Sequence, residues 1–213
     1  MKPWMISLLT TPDRRRAGHQ HILDAGIPNC RIFDGFDGMG LSGAPGMNGG
    51  KLGCLLSHLA LWKMLVLQEQ DAVVFEDDVD LANWASAAFH GELPWDWQAI
   101  WWGYTFHRKE DERPPSEKLS RSASGWENFI AVNRPPLACH CYSLKWRTAE
   151  FLLKHVTLAA PIDSQMQVLL GDQRAGLYIY NDDTMARQRS AIYPASGTCT
   201  TPVTEGLYRS LTS

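Results

Sequence analysis

Long hydrophobic runs are missing from this 213-residue chain, and no stretch reads as approaching a membrane span. The partly apolar opening, Met1 to Leu9, is too short for a secretory signal and runs directly into Asp13 to Arg16. Charge of one sign is not in excess either: 20 Lys and Arg against 23 Asp and Glu leave a formal net charge of −3. That balance gives no reason to expect nucleic acid or an anionic membrane as a partner. Cysteine is sparse at five residues, an odd count that leaves at least one thiol unpaired in a monomer. No closely spaced Cys pair is joined by a second ligand pair, so a structural zinc site is not expected. Cys139 and Cys141, at i and i+2 on a strand, would share a face. Reduced thiols in a soluble, cytoplasmic protein fit this usage best, with peripheral contact to a membrane left open. A phosphate-cradling glycine loop is absent as well. Gly49-Gly50-Lys51-Leu52-Gly53 matches neither the Walker pattern nor G-x-G-x-x-G after a strand. There is no internal repeat and no low-complexity tract.

What is present suffices for one folded domain over residues 1–213. Hydrophobic residues make up 45% of the chain, enough for a core at this length. Apolar runs at Trp4 to Leu9, Cys30 to Phe33, Ala72 to Phe75, Ala99 to Tyr104, Ile130 to Val132, Ala138 to Ser143 and Leu177 to Tyr180 read as strands. Helices are expected at Arg14 to Ala25 (stopped by Gly26), Leu52 to Gln70, Asn83 to His90, Lys145 to His155 and Ile162 to Leu170. Leu55, Leu59, Trp62 and Val66 form the apolar stripe of the second. Strands and helices alternate through the first half, so the expected class is α/β with a mostly parallel sheet. Asp37 to Gly50 is a long loop, His107 to Asn128 a polar, flexible insertion, and the chain after Gly197 an irregular tail. The nine tryptophans read mainly as core filling; exposed ones would offer flat faces to sugar rings.

The most informative run is Ala72-Val73-Val74-Phe75-Glu76-Asp77-Asp78-Val79-Asp80. A buried strand ends in consecutive carboxylates, which repel one another and resist desolvation. Something positive must offset them, and a divalent cation is the usual means. Oxygen ligands favour Mg2+ or Mn2+ over zinc. In open α/β sheets ligands bind outside the carboxyl ends of strands, where this cluster falls. The plain alternative is a solvated acidic turn, or acids capping the helix near Asn83. Ser57-His58 lies on the helix that leads into this strand, with His58 at the edge of the apolar stripe. An isolated helical histidine of this kind is commonly just half-buried and hydrogen-bonded.

Gly53-Cys54-Leu55-Leu56-Ser57-His58, then Trp62, then Val73 to Val79 with its Glu-Asp-Asp, resembles glycosyltransferase family 25. Ser7-Leu8-Leu9 with Arg14-Arg15, Phe33-Asp34-Gly35, Cys141-Tyr142-Ser143-Leu144 and Pro161-Ile162-Asp163 resemble its flanking segments in order, over about the first 170 residues. The resemblance implies a GT-A-like fold, a nucleotide-sugar donor and inversion at the anomeric carbon. It assigns the acidic triplet to the DxD role. Glu76 and Asp78 would handle the ribose and the metal-bound diphosphate, with Asp77 in support. Departures are Lys51, where family members often carry Glu, and the aromatic Trp101-Trp102-Gly103 strand.

The expected activity is therefore metal-assisted transfer of a sugar, galactose by resemblance, from a UDP donor to a hydroxyl of a glycan or lipid-linked saccharide. Asp78 and Glu76 are the metal candidates. Ser57 and Arg14 join the triplet on the donor side, with Arg14 and Arg15 either approaching the donor or facing solvent. Asp163 is the candidate base, its alternative being a first-turn helix acid after Pro161. His58 would orient an acid or a phosphate. Two rivals remain: a binding protein of the same fold without turnover, and a metal-dependent phosphohydrolase using the same acids.

Overall fold

The structure, a computed structural model, describes residues 1–43, 45–81, 92–103, 129–132, 135–137, 139–171, 176–180 and 187–188. The expected helix at Asn83 to His90, the insertion and the tail lie outside these residues. In chain order the elements are β1 (Lys2–Leu8), α1 (Pro12–Asp24), β2 (Arg31–Gly35), α2 (Gly49–Leu67), β3 (Ala72–Glu76), β4 (Val79–Asp80) and β5 (Ala99–Trp101). They are followed by β6 (Phe129–Ala131), β7 (Cys141–Leu144), α3 (Trp146–His155), α4 (Ile162–Gly171), β8 (Leu177–Tyr180) and β9 (Arg187–Gln188).

Seven strands form one sheet in the order β2-β1-β3-β7-β5-β8-β6, and β4 pairs with β9 separately. The class is α/β, but the sheet is mixed rather than mostly parallel. β1 runs parallel to β2 and β3, and β5 parallel to β8, whereas β7 is antiparallel to both β3 and β5, and β6 to β8. Alternation of strands and helices correctly indicated the parallel β1–α1–β2 and β2–α2–β3 units. A short apolar run carries no mark of its direction, so the reversal at β7 was not legible.

Helices cover both sheet faces. Ile22 of α1 and Ile27 pack with Met5, Val73, Phe75, Ile100, Trp102 and Cys141 on one face. α2, α3 and α4 pack with Trp4, Ile6, Val74, Trp101, Tyr142 and Ile179 on the other. β3 is therefore buried on both sides, with Ala72, Val73, Val74 and Phe75 all at 0% exposure, as a continuous apolar run demands. Cys139 and Cys141 fall on opposite faces, contrary to the i, i+2 expectation. β7 begins at Cys141, so Cys139 lies before the strand and escapes its alternation. Trp4, Trp62, Trp97, Trp101 and Trp102 fill the core, while Trp95 is exposed.

Two helix starts sit earlier than expected. α1 begins at Pro12, a residue whose fixed φ and missing N–H suit the first turn. α2 begins at Gly49 because Asn48 caps it, its side chain accepting the Lys51 backbone N–H at 3.0 Å. α2 is also long and apolar enough to cross a membrane by length and composition, which the sequence reading overlooked. It is packed instead as a core helix, with Leu55, Leu61, Trp62 and Leu65 fully buried and Leu59 and Val66 only partly so.

Candidate functional site

The sheet's alternation sorts the acidic triplet. Glu76 continues the face of Val74 and turns toward α2. Asp77 continues the face of Phe75 and turns toward α1 and Ser7. Two separate polar systems result, one on each side of the end of β3.

On the α1 side, Arg14 forms an ion pair with Asp77 and reaches Asp78 Oδ2 at 3.4 Å. The Ser7 hydroxyl donates to Asp77 Oδ2 at 2.5 Å. Asp77 and Asp78 are both buried at 4% exposure. α1 can approach this closely because position 18 is glycine: a Cβ there would sit 2.5 Å from the Asp77 carbonyl oxygen. Burial acts to lower the Arg14 guanidinium, but the charges of Asp78 and Asp77 and the hydrogen bond to Asp77 hold it above its ordinary value. Burial also pushes Asp77 up, outweighing the opposing pull of Arg14 and Ser7. Arg15 faces elsewhere and pairs with Asp34 at 2.7 Å.

On the α2 side, His58 is 1% exposed, so it lies in the middle of the buried stripe rather than at its edge. Its Nδ1 is 2.7 Å from the Tyr142 hydroxyl and its Nε2 is 3.3 Å from Glu76 Oε1. Trp62 Nε1–H donates to the same hydroxyl at 2.9 Å. One proton arrangement satisfies every member: Trp62 donates to Tyr142, Tyr142 to His58 Nδ1, and His58 Nε2–H to Glu76. Burial works to raise Glu76, yet the hydrogen bond and charge of His58, followed by His140 and Arg14, hold it below its ordinary value. Cys54, one turn before His58, has its Sγ 3.8 Å from Glu76 Oε1. Burial pushes that thiol well up, and the charges of Glu76, Asp163 and Asp78 add to the shift.

Ser57 works on the neighbouring loop. Its hydroxyl donates to the Gly53 carbonyl at 2.6 Å and accepts the Phe36 N–H at 2.8 Å. Gly53 lets that loop cross the helix, since a Cβ there would meet Gly38 N and Phe36 O at 2.7 Å. The Gly53 and Ser57 positions of the motif thus fasten the Phe36 to Gly38 segment over α2. Lys51 is buried and its Nζ donates to the Gly46 carbonyl at 2.9 Å. Asp163 opens α4, its Oδ1 accepting the Ser164 N–H at 2.7 Å.

Most of these groups border one cavity of about 450 Å³; Arg15, Trp62 and Tyr142 do not. Its lining includes Arg14, Ser57, His58, Glu76, Asp77, Asp78 and Asp163, every residue singled out from the sequence, together with Lys51, Cys54 and His140. Asp163 is therefore both a first-turn helix acid and a cavity residue. Ser7, Cys54 and Tyr142 stand within the resembling segments, but sequence reasoning assigns them no role and passes over His140. Cys54 carried a further signal, its i, i+4 spacing from His58 on one helix face.

A cavity at the carboxyl ends of β1 and β3 in a sheet covered on both faces defines a ligand-binding α/β domain. Residues 1–166 match the family model described as glycosyltransferase family 25 (LPS biosynthesis protein). The chain belongs to this family and is accordingly a glycosyltransferase, with a sugar donor and an acceptor. Among curated proteins none matches the chain.

Proposed function

We propose that the chain, on a GT-A-like fold, transfers a hexose, galactose in the first instance, from a UDP-sugar to a hydroxyl of a glycan or lipid-linked saccharide. The transfer inverts the anomeric carbon and is assisted by Mn2+ or Mg2+, in the cytoplasm. The carrying observation is the convergence of Glu76, Asp78, Arg14 and Asp163 on one cavity of about 450 Å³, a size suited to a small organic ligand.

Glu76 and Asp78 offer hard oxygen donors on the cavity wall, which fit Mg2+ or Mn2+ in kind. When bound, such a cation would neutralise the diphosphate and make it a better leaving group. Asp77 is committed to Ser7 and Arg14 and acts by fixing the turn. Arg14 adds a positive charge beside Asp78 on the same wall. His58 fixes the Glu76 carboxylate from behind. Asp163 is the base: it takes the acceptor's hydroxyl proton as that oxygen bonds to the anomeric carbon and the bond to the diphosphate breaks.

The test is a panel of nucleotide sugars with and without Mn2+, read by thermal shift and UDP release. The preferred donor should stabilise the protein by about 2.7 kcal/mol at a hundredfold excess over its Kd. Asp163→Asn should keep that shift and lose about 10²–10⁴-fold in turnover. Intact Mn2+-dependent UDP binding and transfer in Asp78→Asn would refute the assignment. Donor binding with no UDP release under any condition would identify a binding protein instead.

A further inference from the structure

Cys54, His58 and Glu76 bring three unlike ligand atoms together at the cavity wall. Cys54 Sγ, His58 Nε2 and a Glu76 carboxylate oxygen all lie within 4.8 Å of one another. Two of the three edges are 3.3 Å from His58 Nε2 and 3.8 Å from Cys54 Sγ to Glu76 Oε1. Zinc bonds of about 2.3 Å to sulfur and about 2.0–2.1 Å to nitrogen and oxygen give tetrahedral edges of roughly 3.3–3.6 Å. The two edges to Glu76 already stand near that spacing, and the third lies within 4.8 Å. The histidine is also held from behind, as metal-ligating histidines are, by the Tyr142 hydroxyl on Nδ1.

We propose that Cys54, His58 and Glu76 form a site for a thiophilic divalent metal of the Zn2+ type, distinct in chemistry from the oxygen-ligated cation of the transfer reaction. Thiolate and imidazole select zinc over Mg2+ or Mn2+. All three residues line the cavity, so the fourth position of a tetrahedral ion opens into it and takes water. On binding, Cys54 loses its thiol proton to solvent. His58 changes tautomer, freeing Nε2 for the metal while Nδ1–H donates to the Tyr142 oxygen, which has two acceptor sites and also keeps Trp62; the Tyr142 O–H gives up its acceptor, a cost that metal binding must exceed. The ion takes Glu76 out of the donor site, so zinc opposes transfer. This last, inhibitory part rests on the proposed function; metal binding does not.

Co2+ is the probe, added to purified full-length protein under reducing conditions. One equivalent should produce a thiolate-to-cobalt charge-transfer band with intense tetrahedral d–d absorption, bleached by one equivalent of Zn2+. Cys54→Ser, a near-isosteric change, should abolish the charge-transfer band. Tyr142→Phe should weaken the affinity by about 10–100-fold. Absence of the band in the unmodified protein, or its persistence in Cys54→Ser, would overturn the site. UDP release with Mn2+ present is then measured against Zn2+: inhibition of the unmodified protein and resistance of Cys54→Ser support the inhibitory role, and equal inhibition of both removes it. A cobalt band without UDP release from any donor leaves the metal site standing and counts against the proposed transferase. UDP release without the band does the reverse.

Discussion

Replacing Arg14 by Met isolates what the guanidinium does for the acidic turn. Methionine keeps much of the aliphatic volume and removes the charge. The Arg14 side chain is 17% exposed and those of Asp77 and Asp78 6%, so the pair is largely shielded from water. Breaking a buried ion pair by deleting one partner costs about 3–5 kcal/mol, because the other charge stays buried without compensation. The residual exposure of Arg14 points to the lower end, about 3 kcal/mol. For a chain of this size that lowers Tm by roughly 6–12 °C.

The loss should depend on pH, with a definite sign. Asp77 already sits above its ordinary value of 3.8 because burial dominates. Deleting Arg14 removes a lowering influence, so the folded value rises further. Between 3.8 and that folded value the native state holds a proton that the unfolded state has lost, and stability falls as pH rises through the window. Below it both states are protonated and the penalty vanishes. The deficit of Arg14→Met is therefore largest above that window and shrinks as pH falls toward 3.8. Urea unfolding followed by tryptophan fluorescence across pH, in chelator, measures it. Asp77→Asn added to Arg14→Met should recover more than half of the loss, since Ser7 can still donate to the amide oxygen. A deficit below about 1 kcal/mol, one that does not shrink as pH falls to 3.8, or a double variant no better than the single one would refute the reasoning.

Gly18→Ala should cost about 1–3 kcal/mol through overpacking against the Asp77 carbonyl, and should reduce UDP release in the fraction that remains folded, because the acidic turn must shift. Parallel denaturation and turnover measurements check both. Ser57→Ala leaves the Phe36 N–H without its acceptor; a loss of about 1–3 kcal/mol is expected in urea unfolding, with faster hydrogen exchange at Phe36. Chelation with EDTA should leave the Tm of protein free of both donor and zinc unchanged while abolishing the shift produced by the donor.

How much was readable in advance depended on the range of the interaction. β3 was legible because a four-residue apolar run between polar turns has few other uses, and both its faces proved buried. The four described helices were legible from periodicity, their ends less so, because Pro12 and the Asn48 cap act locally but stand beside residues that look like loop. The site residues were gathered from motif order, and one cavity holds them all. Their partners were not legible. Tyr142 is 84 positions from His58 and Asp77 is 70 positions from Ser7, and no local pattern encodes such a hydrogen bond. β7 sits beside β3 and carries Tyr142 beneath α2, and neither that neighbour nor the strand's direction is written in the local sequence.

The acidic run first suggested that a cation must offset three clustered carboxylates. The fold answers much of that need with its own groups. Period-2 alternation separates Glu76 from Asp77, sending one to His58 and the other to Arg14. Charges that would repel as a cluster become two systems on opposite faces of one strand, each with its own donors. A chain arranged this way does not need a metal ion in order to fold, which is why chelation is expected to spare stability. The charge left for a divalent cation to neutralise is that of the ligand, a diphosphate entering a cavity already lined by acids. Metal dependence should therefore appear in donor affinity and turnover, and the two perturbations separate cleanly: Arg14→Met acts on the protein's own charge, chelation on the donor's.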